Sequence, residues 1–106
     1  MKIKVILCDT FFSKFVGLMF TRKAEQALVF RFAKEQKTPL HMFFVFYPID
    51  VVYLNSDRII VELKPYLRPF NLYFPKNKAC YVLELPAGYI QEHALAAGGF
   101  FSDFEV

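Results

Sequence analysis

Ile49-Asp50-Val51-Val52-Tyr53-Leu54 is followed by Asn55-Ser56-Asp57, and then by Arg58-Ile59-Ile60-Val61-Glu62-Leu63. Two runs rich in β-branched residues enclose a three-residue polar cluster. Asn, Ser and Asp bond their own backbone and favour turns, so the stretch predicts a strand, a tight turn and a returning strand. This is the clearest hairpin in the chain, and it sets the expectation for the rest.

Working upstream, residues 39–47 predict a dense aromatic strand, which Pro48 bends or places at an edge because proline donates nothing to a ladder. Residues 27–33 predict another strand, with Leu28, Phe30 and Phe32 on one face, and 34–37 a polar turn. Residues 2–8 predict a first strand. Asp9-Thr10 then offers an N-cap, and Phe12, Phe15, Val16 and Met19 fall on one face of a short helix. Downstream, Pro65, Pro69 and Pro75 punctuate Tyr66, Phe70, Tyr73 and Phe74, which predicts an irregular crossing over residues 64–78. Residues 79–85 predict a strand ended by Pro86. A helical turn or two then follows over 88–95, and Gly98-Gly99 turns into a last strand over 100–106. About seven short strands and one or two short helices point to a mainly β fold, a small single-domain barrel or sandwich spanning residues 1–106.

A length of 106 residues fits one core. The chain holds 14 Phe, 6 Tyr and no Trp. An interior this small cannot hide so many rings, so some aromatic surface is expected to be exposed in a groove or a self-association face. The formal charge of +3 is small and dispersed, which argues against a nucleic-acid partner. No apolar run reaches the roughly 20 residues a membrane span needs, and the first residues lack the pattern of a signal peptide. The expectation is a cytoplasmic protein. Cys8 and Cys80 then read as small core residues, and a disulfide between them would need neighbouring strands. No set of soft ligands accompanies them, so neither a metal nor a cofactor is expected.

Gly17-Leu18-Met19-Phe20, Leu40-His41 through Phe43-Phe44 to Pro48-Ile49-Asp50-Val51-Val52, Leu63-Lys64-Pro65-Tyr66 with Arg68, and Val82-Leu83-Glu84-Leu85-Pro86-Ala87-Gly88 stand in one order along the chain. In that order and spacing the chain resembles the family known as domain of unknown function 192, across nearly its whole length. The resemblance implies a compact β-rich barrel or sandwich with short helices, and implies no activity. The chain departs from the family pattern at three places. Thr21 stands where an arginine is usual, Phe46 replaces a basic residue of the central strand, and Gly98-Gly99 replaces a Gly-Asp pair.

Four polar residues are the candidates for chemistry. Asp50 lies in a strongly apolar strand, where an ionised carboxylate must find partners or take up a proton. It is either a structural hydrogen-bond anchor or an acid of an active site. His41, on an apolar strand, reads as a packed residue or as a general base. Glu84 reads as an outward-facing strand residue paired with Arg68 or Lys64, or as the second carboxylate of a pair with Asp50. Arg68 is a surface cation or a clamp for a carboxylate or phosphate. His93 reads as surface. Tyr66, Phe70 and Tyr73 either stack on a ligand or pack down as a lid.

Three functions compete on these residues. The first is a non-catalytic binding or interaction domain with an aromatic-lined mouth for a small molecule or a protein partner. The second is a hydrolase-type enzyme using His41 with Asp50 or Glu84. The third is a structural protein that forms a homodimer through its aromatic surface.

Overall fold

In the computed structural model the predicted hairpin is present, and its turn follows from Asn55. The Asn55 side-chain oxygen accepts from the N–H groups of Asp57 and Ile59 at 2.9 and 3.0 Å, and its backbone bonds to Ile59 and Arg58. The structure describes residues 3–8, 27–42 and 46–102; the predicted helix around Phe12 to Met19 lies outside them.

Seven strands are described: β1 (Ile3–Cys8), β2 (Ala27–Gln36), β3 (Leu40–His41), β4 (Ile49–Leu54), β5 (Ile60–Leu67), β6 (Leu72–Tyr73) and β7 (Ala79–Pro86). One short helix, α1 (Tyr89–Glu92), follows. Five strands form one sheet in the order β1-β2-β7-β4-β5, parallel between β1 and β2 and antiparallel elsewhere. β3 and β6 form a separate two-stranded sheet. The fold is mainly β, as expected, but β1 and β5 remain the two edges and the sheet is not closed into a barrel.

Successive side chains of a strand point to opposite faces, and here both faces of the central strands are covered. One face carries Leu28, Phe30, Val51, Tyr53 and Val82, and the small β3–β6 layer closes it with Leu40, Met42 and Tyr73. The other carries Val29, Val52, Leu54, Leu83 and Leu85, covered by Tyr89, Ile90 and Phe101 of the C-terminal part. Each large apolar side chain buried this way contributes roughly 1.5–3 kcal/mol. Every residue of β4 is buried as a result. The alternation of Leu28, Phe30 and Phe32 on one face is as the sequence implies.

Several boundaries differ from expectation. β2 runs on through the polar stretch to Gln36, its end exposed to solvent. β5 continues through Pro65 to Leu67, which an edge strand tolerates because, among the described residues, no strand pairs with its outer side at Pro65. The register slips by one residue there: Val51 pairs with Lys64 but Ile49 pairs with Leu67. Of the predicted strand over 39–47, Leu40–His41 form a ladder as β3, and residues 43–45 lie outside the described part. Of the predicted last strand over 100–106, a bridge between Ile59 and Phe100 is described, and residues 103–106 lie outside the described part. Gly98 and Gly99 bond both polar groups of the Ile60 backbone, which covers the start of the β5 edge; Gly98 adopts φ +91°, open to glycine. The Cys80 thiol is buried and free. β2 separates β1 from β7, so the strands of Cys8 and Cys80 are not neighbours.

Candidate functional site

Pro65 creates the local geometry from which the site is built. It supplies no N–H, and the extra residue in β5 throws Tyr66 into the left-handed region at φ 51°. The Tyr66 N–H then needs an acceptor outside the ladder, and Asp50 Oδ1 on β4 provides it at 2.9 Å. Asp50 Oδ2 accepts from the N–H groups of Gly88 and Ile90 at 3.1 and 2.9 Å. Gly88, at φ 95°, turns the chain from β7 into α1. One buried carboxylate thus ties three segments together. These bonds are the kind that the hydrogen-bond-anchor reading of Asp50 expects.

Glu84 lies on β7, the central strand, and is fully buried. It does not face solvent, as an outward-facing strand residue paired with Arg68 or Lys64 would. The register places it opposite Leu28 and Val51, whereas Asp50 pairs with Leu85. Paired residues share a face, so the two carboxylates point to opposite sides of the sheet. The structure does not bring them together. His41 pairs through its backbone with Leu72, and its side chain lies outside the described part. His93 is exposed, with its ring stacked on Tyr89 at 3.8 Å. Among the described residues no three His, Cys, Asp or Glu side chains gather as a metal would need.

The face opposite Asp50 carries a polar network that the sequence gives little sign of. Glu62 accepts from the Tyr73 hydroxyl, from the N–H groups of Lys76 and Asn77, and from the Asn77 side-chain amide. Desolvation opposes its charge, but these hydrogen bonds outweigh it and hold the carboxyl below its ordinary range. Desolvation and the bond to Glu62 push the Tyr73 hydroxyl up to about 12. The Tyr53 ring lies 6.0 Å from Tyr73, and its hydroxyl is buried without a hydrogen-bond partner among the described residues. Burial first, then the charge of its neighbours, raises its pKa far above that of a free tyrosine.

Beside this network an open depression of about 530 Å³ lies between β5 and β6. Lys64, Tyr66, Leu67, Arg68, Asn71, Leu72 and Tyr73 line it. Leu67 is buried and Tyr73 packs against the core, whereas Tyr66 and Leu72 are 57% and 53% exposed. The Lys64 ammonium sits 5.9 Å from the centre of the Tyr73 ring. The crossing is therefore divided. Tyr73 packs down, as a lid residue would, while Tyr66, Phe70 and Phe74 stay exposed. Phe70, also left-handed at φ 62°, meets exposed Phe46 edge-on at 5.3 Å. Of the four polar candidates, Arg68 alone is placed by the structure on this depression. Lys64, Asn71 and Leu72 were missed because nothing in their spacing marks a site.

A family model, DUF192, described as Uncharacterized ACR, matches residues 1–100. The chain belongs to this family. Among its relatives, a UPF0127 protein of Thermococcus sibiricus is 42% identical over 105 residues, covering 97% of this chain and 67% of the relative. One from Thermococcus kodakarensis is 39% identical, covering 93% and 64%. The chain thus spans about two thirds of the length of these relatives. Among solved structures, a protein of unknown function from Novosphingobium aromaticivorans superposes with a TM-score of 0.77 at 18% identity, covering 92% of this chain and 71% of that one. A Sinorhizobium meliloti protein, provisionally described as a transcription regulator, gives 0.78 at 21%, covering 91% and 76%. At such identities the likeness concerns the fold alone. The DUF192 family has no described activity, and no helix among the described residues is long and apolar enough to cross a membrane.

Proposed function

We propose that this DUF192 chain is a non-catalytic binding module that holds a small molecule in the depression between β5 and β6. The supporting observation is the depression itself, with a size in the range of ligand sites and a lining that mixes exposed apolar side chains with a few polar groups. Against the hydrolase reading stands the placement of each carboxylate: Asp50 already accepts three backbone N–H bonds, and Glu84 is fully buried in the middle of the sheet. The small, scattered charge fits a cytoplasmic protein that does not bind nucleic acid.

A second reading is a homodimer through the aromatic ridge. Phe46, Phe70 and Phe74 are 75%, 50% and 68% exposed, an unusual share of bare rings for a chain of this size.

The test is a thermal-shift screen against sugars, nucleotides, acyl chains, divalent metals and small carboxylates. A ligand at a hundred times its dissociation constant adds about 2.7 kcal/mol, or on the order of 10 °C here. The binding reading expects such a rise, and expects it to vanish in Tyr66→Ala. A flat panel from a protein that sediments as a dimer overturns it in favour of the homodimer.

A further inference from the structure

The lining of the depression is unbalanced in charge. Lys64 and Arg68 both contribute, no acidic side chain does, and neither cation has a carboxylate partner among the described residues. Glu62, the acid nearest in the network, already accepts four hydrogen bonds. Among the described residues, both cations stand open to an anion. Arg68 presents a planar fork of donors that matches a carboxylate bidentately, and Asn71 offers an amide beside it. Polymers fit poorly into about 530 Å³.

The uncharged part of the lining narrows the class. Tyr66 and Leu72 expose apolar surface at the rim next to the cations, so one ligand can satisfy a charge and cover an apolar wall. Phosphate sites usually add a helix N-terminus, and no helix residue is among the lining residues. A singly charged carboxylate suits two side-chain cations better than a doubly charged phosphate.

Backbone strain points to the same place. Tyr66 and Phe70, the non-glycine residues flanking Arg68 at two positions to either side, are both left-handed. Strain of this kind persists only where the surroundings enforce it, and it gathers at ligand clamps. For Tyr66 the enforcing group is the Asp50 carboxylate.

We infer that the ligand is a small organic carboxylate, with its charge on Lys64 and Arg68 and its apolar or planar part against Tyr66 and Leu72. This rests on the binding reading above. The test is an amide-resolved NMR titration of the whole chain, at fixed ionic strength, with benzoate, benzyl alcohol, benzylamine and phenyl phosphate in turn. Benzoate is expected to shift the amides of residues 64–73 and to bind at least about tenfold more tightly than the alcohol or the amine. Arg68→Gln and Lys64→Gln should each weaken benzoate about tenfold with an unchanged melting point, since Arg68 is exposed and Lys64 half-buried. If the alcohol or amine binds these residues as tightly as benzoate, or phenyl phosphate binds more tightly, the carboxylate assignment falls and the binding module stands. If benzoate binding survives both substitutions unweakened, the assignment falls likewise. If no probe moves these amides, both readings fall together.

Discussion

On one face of the sheet both Asp50 carboxylate oxygens accept from backbone N–H groups, and the residue is only 1% exposed. On the other face Glu84 is buried among Leu28 and Val51, while Glu62 stands at the edge of the β3–β6 layer and binds Tyr73 and Asn77. The first face is closed by the C-terminal part of the chain and uses its charge to hold architecture. Among the described residues the second is covered chiefly by the two short strands, and the depression opens beside that layer. A charge that fixes backbone is spent on structure. One at the margin of a thin layer stays within reach of solvent and ligands. The difference teaches that burial, and not residue type, separates the scaffold from the site.

The comparison breaks most easily at Asp50. Asp50→Ala orphans three backbone N–H groups and should cost on the order of 4 kcal/mol in urea unfolding. Asp50→Asn keeps one acceptor and should cost about half as much. Intact stability in either variant would remove the distinction between the faces. A smaller effect is expected at Glu62. Its folded pKa is lowered, so the stability it contributes is fully present above the ordinary value of 4.5 and is lost as pH falls through the lowered value. Glu62→Gln should therefore flatten the acid limb of stability against pH, at a cost near neutrality of about 1 kcal/mol after screening by solvent. An unchanged acid limb would show the network to be inert. The smallest effect belongs to Tyr66→Gly. Relief of the left-handed strain should raise stability by about 0.5 kcal/mol while benzoate binding is lost. A loss of stability instead would make Tyr66 part of the scaffold and sharpen the boundary in the other direction.

The hairpin was legible because Asn55 writes its own turn and the flanking runs are continuous. The structural role of Asp50 was legible as one of two options, since an aspartate within apolar residues must be satisfied by something. Glu84 was misread. Its alternation with Leu83 and Leu85 suggests solvent on one side, but β7 lies in the middle of the sheet with both faces covered. Arg68 is legible as a candidate cation, whereas Lys64 and Asn71 carry no local signal and meet it only in the folded lining of the depression. The aromatic crossing was read as one unit. It divides because Tyr73 pairs with Leu40 in the small sheet, and that pairing turns its ring toward Tyr53.

By itself the sequence determined what depends on neighbours along the chain: mainly β structure, the Asn55 turn, the inward face of Leu28 and Phe30, and membership in a family whose motifs run in order. Only the tertiary structure decided what depends on strand order. A carboxylate at position 50 or 84 has the same local surroundings on paper, and the side of the sheet it faces is set by its register against other strands. Pairing across the sheet brings Asp50 to Tyr66 and Gly88 and holds Glu84 apart from them. No periodicity within a single strand encodes that choice.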